Sequence, residues 1–265
     1  MKIVDGFIFY NEFKLLWYRL NILYKVVDYF IIVESLYTFS GKKKELYFKK
    51  NKHKFNKFQD KIVHIVIDDF DYIYPNIDYS KRHQWENEIK QRNGISKGIN
   101  YLKTKLNDRD LIMISDVDEI PDIKLLNKIK SNNYNIDLVS LQLDTYYYNL
   151  NTKCDAYCTA SKIFSYKKYK QLNNTIQEIR ISQVSSIVNA GWHLSFFGDE
   201  NFIVNKLENF SHQEYNDSKY KNKDIIKSKI QDCKDLFDRK NSQFKYISFE
   251  DNTFLPPEYD KYLLN

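Results

Sequence analysis

Apolar residues crowd Ile3 to Tyr10, and Phe13, Leu16, Leu20 and Leu23 then recur at helical spacing, so the chain opens with a strand and a helix. Tyr29 to Glu34 is a second apolar strand. The three pieces make one βαβ unit, whose right-handed crossover implies a parallel start to the sheet. Lys61 to Ile67 reads as a third strand, followed by the acidic and aromatic loop Asp68 to Tyr79. The spacing predicts a long helix from Gln84 to Leu106, with Trp85, Ile89, Ile99, Leu102 and Leu106 on its buried side. It leads into Leu111 to Ile114, a run too short for a helix and apolar on both faces, as in a strand buried within a parallel sheet. Past Pro121, Asp122 to Lys130 forms a helix and the rhythm then changes. Asp137 to Asn149, Lys162 to Tyr166, Gln177 to Ser182 and Ser186 to Phe197 read as strands with few helices between them, which suits an antiparallel extension. Amphipathic helices return at Glu200 to Phe210 and Asp217 to Phe237, and Leu255-Pro256-Pro257 stops regular structure. The expected fold class is α/β, with a mixed sheet flanked by helices.

At 265 residues the chain is long enough for one large α/β domain or two small ones, and the lack of a Gly, Pro or Ser-rich linker favours one. Abundant Tyr, Phe, Lys, Asn and Ile together reflect AT-rich coding more simply than function. The net charge is +6, with lysines scattered among acids apart from Lys42-Lys43-Lys44 and the stretch Lys49 to Lys57, both consistent with a solvated face. Neither a concentrated basic stripe nor a known module points to nucleic acid. No apolar run approaches the roughly 20 residues that span a bilayer. Met1 to Asp5 passes straight into strand-like sequence without a signal peptide. Three cysteines, Cys154, Cys158 and Cys233, at no zinc-like spacing, read as reduced thiols in a cytoplasmic setting.

The central strand empties into Ser115-Asp116-Val117-Asp118-Glu119-Ile120-Pro121. Open α/β sheets bind ligands at the carboxyl ends of their strands. Residues two apart in extended backbone point the same way, so Asp116 and Asp118 face one ligand together. Closely spaced carboxylates suit a hard cation such as manganese or magnesium, or proton handling. A solvated turn capping the following helix is the plainer alternative. By the same crevice argument Asn11, Glu12, Glu34 and Thr38 line a site, while Glu88 and Arg92, four apart, either pair on the surface or reach a ligand. A second chemical segment runs from Ala190-Gly191-Trp192-His193 through Asp199-Glu200 to Ser211-His212-Gln213-Glu214. It offers a tryptophan for stacking, two histidines and acids at a helix start.

Asp5-Gly6-Phe7 with Asn11-Glu12, Arg19-Leu20, Val27 to Ser35, Thr38 to Lys42, the Ser115 to Pro121 motif, Ala190 to His193, Lys206-Leu207 and Ser211 to Glu214 together resemble glycosyltransferase family 17, in order over nearly the whole chain. Its best-known members add bisecting N-acetylglucosamine to N-glycans. The resemblance implies a single GT-A (Rossmann-like) domain over 1–265, with a nucleotide-sugar half at 1–121 and an acceptor half at 122–265. It further implies a UDP-sugar donor, by preference UDP-GlcNAc, a glycan or glycoconjugate acceptor, a divalent metal (manganese or magnesium) and inversion at the anomeric carbon. The DxD-type motif maps onto Asp116 and Asp118 as metal ligands, with Glu119 orienting a ligand or metal-bound water. An inverting transfer needs a general base; Glu200 is the first candidate, then Asp199 and Glu214. His193 or His212 completes the metal or diphosphate site, and Asn11, Glu12, Glu34, Arg92 and Trp192 are donor or acceptor contacts. Family members often carry a membrane anchor and a cysteine after Gly-Trp-His, where this chain has Leu194. A cytoplasmic bacterial or viral enzyme therefore fits better than one acting in a secretory pathway. Two rivals remain: a phosphatase of the haloacid-dehalogenase type, which also places Asp-x-Asp after an apolar strand, and a carbohydrate-binding protein that has lost catalysis. Phosphate release without UDP-sugar dependence marks the first, and UDP-sugar binding without hydrolysis or transfer the second.

Overall fold

The computed structural model describes every residue except Asn133, Asn241, Ser242 and Asn265. Its first half runs β1 (Ile3–Ile8), α1 (Phe13–Leu23), β2 (Tyr29–Ser35), α2 (Tyr47–Asn51), β3 (Ile62–Ile67), α3 (His83–Asn93), α4 (Ile95–Leu102) and β4 (Leu111–Asp116). β1 pairs in parallel with β2 on one side and β4 on the other, and β2 with β3. The strand order β3-β2-β1-β4 reverses direction between β1 and β4. That reversal opens a crevice at the strands' carboxyl ends, and the loop after β1 and the acids after β4 both lie there. β1 is buried along its whole length, which explains its two-faced apolar sequence.

The second half runs β5 (Glu119–Pro121), α5 (Ile123–Ser131), β6 (Leu138–Tyr147), β7 (Thr152–Cys158), β8 (Lys162–Ser165), α6 (Tyr166–Gln171), α7 (Ile176–Ile181), β9 (Ser186–Ser195), α8 (Glu200–Asn209), α9 (Ser218–Lys221), α10 (Lys223–Gln231), β10 (Phe244–Tyr246) and α11 (Tyr259–Tyr262). β8 lies between β4 and β6, antiparallel to both, and β7 and β10 extend the sheet beyond β6. β9 runs parallel to β6 and antiparallel to β5. The architecture is the expected mixed sheet flanked by helices, consistent with a Rossmann-like glycosyltransferase fold. One apolar cluster packs α1 and α5 against one face of the sheet, and another packs α4 and α7 against the other.

Three elements differ from their sequence patterns, and a short helix, α11, follows Leu255-Pro256-Pro257, where regular structure was expected to stop. The Gln177 to Ser182 strand is instead helix α7, started by a reciprocal capping box between Thr175 and Glu178. The Gln84 to Leu106 helix breaks at Gly94 into α3 and α4, and the side of α3 turned inward is polar, burying Gln84, Asn87, Gln91 and Arg92. A Cβ at Gly98 would meet Ile31 Cγ2 at 2.4 Å, so glycine there lets α4 lie directly on β2. The Asp217 to Phe237 helix is two short helices, the second capped by Asn222, and ends at Gln231. Among the described residues no helix is long and apolar enough to cross a membrane.

Candidate active site

The turn after β4 is built on a buried arginine. Arg19 projects from α1 with no solvent exposure, and its guanidinium grips Asp5 of β1 through two hydrogen bonds of 2.8 and 2.6 Å. Its remaining N–H groups donate to Ser115 Oγ at 2.6 Å and to the carbonyls of Asp116 at 3.0 Å and Glu119 at 2.7 Å. One planar fork thus fixes both ends of the acidic turn, a task that lysine's single ammonium does not match. Asp5 and Arg19 hold the site from behind and do not line it.

Two further arginines hold the first acid of the motif. Arg180 of α7 donates to Asp116 Oδ2 at 2.7 Å and forks onto both oxygens of Glu119 at 2.8 and 2.7 Å. Arg92 of α3 reaches Asp116 Oδ1 at 3.1 Å and Glu88 at 2.6 Å. Glu119 also accepts from Ser161 at 2.6 Å and from the backbone N–H of Asp116 at 3.0 Å. Burial alone would raise the Glu119 carboxyl, but Arg180 outweighs it and holds the group well below the usual carboxylate range. Burial likewise opposes ionisation of Glu88, and Arg92 with the Ser211 hydroxyl prevails and lowers it.

Asp118 faces a different environment. Its Oδ2 accepts from the ammonium of Lys206 on α8 at 3.1 Å, and its Oδ1 faces His193 Nε2 across 3.8 Å, too far for a hydrogen bond. The β5–β9 ladder sets His193 opposite Glu119, and Leu194 N–H donates to Asp118 O at 2.8 Å. Gly191 makes that ladder possible: at φ +146° it lies so close to β5 that a Cβ would fall 2.1 Å from Ile120 O. Burial lowers the proton affinity of Lys206, but Asp118 and Glu12 more than restore it, so the ammonium stays charged. Burial raises the Glu12 carboxyl and nearby Asp118 adds to the rise, against the pull of Lys206. One Glu12 oxygen, Oε2, accepts from the backbone N–H groups of Tyr10 and Asn11, both at 3.1 Å.

These groups open onto a cavity of about 350 Å³ at the carboxyl ends of β1 and β4. Asp116, Asp118, Glu12, His193 and His212 line it, as the sequence suggested. Asn11 stands beside it and donates to Asn205 at 3.0 Å, tying the loop after β1 to α8. Arg92 lies behind Asp116, and its pair with Glu88 is largely shielded, Arg92 buried and Glu88 half-buried, not an open surface pair.

The remaining expectations need correction. Glu34 is fully buried, accepts the N–H groups of Phe48 and Lys49, which caps α2, faces His64 Nε2 at 2.7 Å and does not line the cavity. Trp192 is 1% exposed, stacks on Phe254 and donates to its carbonyl at 2.8 Å, so its ring is core and not a platform for a sugar. Asp199 is the exposed N-cap of α8, and Glu200 points to Lys227 at 3.3 Å; neither lines the cavity. Glu214 is exposed, does not line the cavity and pairs with His212 Nδ1 at 2.6 Å. That pair and the edge of Trp85 engage His212, while two arginines engage Asp116. The trio Asp116, Asp118 and His212 is therefore not assembled, and among the described residues no three His, Cys, Asp or Glu side chains gather to hold an ion. Asp118 Oδ1 and His193 Nε2, a carboxylate oxygen and an imidazole nitrogen, face each other across 3.8 Å without a hydrogen bond. Manganese and magnesium accept such partial ligand sets when phosphate oxygens and water complete them.

Sequence reasoning quoted Lys206 in the family resemblance without giving it a role, and missed Arg180 and the aromatic wall of the cavity, formed by Trp85, Tyr147, Phe196, Phe210, Tyr215 and Phe237. The Thr175-x-x-Glu178 signature marks α7 as a helix start and leads to Arg180. No curated protein matches the chain significantly. The family model of glycosyltransferase family 17 matches residues 1–253, nearly all of the 265-residue chain. The family match and the fold agree, and the chain belongs to glycosyltransferase family 17, a family of sugar-transferring enzymes.

Proposed function

We propose that the enzyme transfers N-acetylglucosamine from UDP-GlcNAc to a hydroxyl group of a glycan, with inversion at the anomeric carbon and with manganese or magnesium bound. The observation that carries this reading is Asp118, paired with Lys206 and facing His193 at the reversal point of the sheet, a place suited to a nucleotide diphosphate beside a cation and strand-end carboxylates. Family membership speaks against the phosphatase reading. Asp118 and His193 would hold such an ion, which would supply positive charge to the leaving diphosphate. Lys206 adds a second, fixed cation beside it, and Arg180 and Arg92 keep Asp116 oriented at the cavity floor. Charge placed in advance where the leaving group gains it lowers the barrier without reorganisation.

The acceptor hydroxyl must lose its proton as it attacks the anomeric carbon and UDP departs. Of the cavity carboxylates, Asp116 and Glu88 are held by arginine and Asp118 by Lys206. Among the described residues Glu12 keeps one oxygen without a hydrogen-bond partner, its proton affinity is raised, and we assign it the acceptor's proton. The aromatic wall offers flat apolar faces against which sugar rings pack. The test is mass spectrometry of an acceptor library incubated with UDP-sugars and manganese. A product heavier by one N-acetylhexosamine, absent with Asp118→Ala, is expected, and Glu12→Gln should lower the turnover of bound donor without lowering donor affinity. Phosphate release without sugar dependence would replace this reading with hydrolysis.

A further inference from the structure

The positive charge of the chain is gathered in one place. Residues 42–61 contain nine lysines and two acids, while the other 245 residues balance 32 cations against 33 acids. This segment is anchored: Phe48, Phe55 and Phe58 are buried, and they pack against Phe9, Phe13 and Trp17. Their burial turns the intervening lysines outward, and Lys42, Lys43, Lys49, Lys50, Lys52, Lys54 and Lys57 are all exposed. Among the described residues only Lys50 of these seven has a carboxylate partner, Glu45 at 2.8 Å. The result is a lysine-covered surface over α2 and the 3-10 turn Lys52–Phe58, with its charge left for something else to neutralise.

We propose that this face docks the enzyme on an anionic lipid bilayer. Several lysines near a negatively charged membrane act together through its surface potential, without specific contacts. The segment contains no arginine, whereas Arg19, Arg92 and Arg180 are all buried and used as forks. Nucleic-acid recognition draws on arginine forks and on aromatic rings available for stacking. Here Phe48, Phe55 and Phe58 point inward, and the half-buried Tyr47, Phe13 and Trp17 lie beneath Lys44, Lys54 and Lys57, which leaves lysine charge as the outermost feature of the face. The face also continues to the cavity: Lys44 lies over the rings of Tyr10 and Tyr47 at 5.5 and 5.1 Å, and lines a small pocket with Tyr10, Glu12 and Lys206. Docking through the neighbouring lysines therefore places the rim of the cavity beside the bilayer.

The test is flotation of the whole chain with vesicles of phosphatidylcholine alone and of phosphatidylcholine with about 30 mol % phosphatidylserine, at low salt and at about 0.5 M salt. The triple variant Lys49→Glu, Lys52→Glu, Lys54→Glu alters exposed positions away from the cavity, and an unchanged thermal midpoint checks its fold. The wild type should float with anionic vesicles only and be released by salt, and the variant should bind at least tenfold more weakly. Three results would each overturn the proposal: no binding to anionic vesicles at low salt, equal binding by the folded variant, or tighter binding to a fluorescent oligonucleotide than to the vesicles. None of these outcomes depends on the identity of the sugar donor.

Discussion

Replacing Arg19 with methionine should damage both stability and donor binding, although Arg19 does not line the cavity. Arg19 and Asp5 are both fully buried and joined by two short hydrogen bonds, so the substitution strands a carboxylate in the interior. Removing one partner of a buried pair costs about 3–5 kcal/mol, most of it from the orphaned charge. In domains near this size each kcal/mol lowers the melting temperature by about 2–4 °C, so a fall of roughly 6–20 °C is expected. Urea titration of wild type, Arg19→Met, Asp5→Asn and the double variant separates the terms. Asp5→Asn removes the stranded charge, so the double variant should be more stable than the sum of the single effects predicts, by about 0.5–3 kcal/mol. Donor affinity should fall in Arg19→Met because the carbonyls of Asp116 and Glu119 lose the donor that fixes the turn. A loss of stability below about 1 kcal/mol, or strict additivity in the cycle, refutes the buried-pair argument.

Lys206→Met should weaken UDP binding at least tenfold with or without manganese, whereas Asp118→Ala should remove the response to manganese itself; calorimetry with UDP and the metal distinguishes the two. The depressed proton affinity of Glu119 adds stability that is complete above the unfolded carboxylate range near pH 4.3 and is lost as pH falls through the lower folded value. Urea midpoints between about pH 3 and 7 should therefore drop on the acid side, and Glu119→Gln should be less stable at neutral pH with a flatter profile. Trp192→Phe keeps an aromatic ring but orphans the Phe254 carbonyl, and should cost about 1–3 kcal/mol in urea while leaving donor affinity unchanged. A selective loss of sugar binding in that variant would restore Trp192 to the site.

Much of this architecture was legible because it rests on simple patterns. The two-sided apolar runs of β1, β2 and β4 and the helical spacing of α1 located the parallel sheet, and the acids after β4 located the cavity floor. What could not be read was what the polar residues of that region do. Glu34, Trp192 and Asp199 are of types that bind ligands, yet they serve as a helix cap, a core ring and another cap. Their fates depend on α2, the segment around Phe254 and the start of α8, which reach them only through tertiary packing. The inward face of α3 is polar because Gln91 bonds to the Phe9 and Val33 carbonyls and Asn87 to the Phe39 and Tyr72 carbonyls. An apolar periodicity cannot reveal such a face. Arg180 and Lys206 lie 64 and 88 residues beyond their aspartates, so their pairing is invisible to any local motif.

The most direct test of the account is calorimetric titration of the folded chain with UDP-GlcNAc, with and without manganese, alongside Asp118→Ala. Saturable, manganese-dependent binding by the wild type that disappears in the folded variant is the predicted result, since the cavity at the β1/β4 reversal is assigned to the donor. Binding of no nucleotide sugar by well-folded protein, or unchanged affinity in Asp118→Ala, would contradict that assignment.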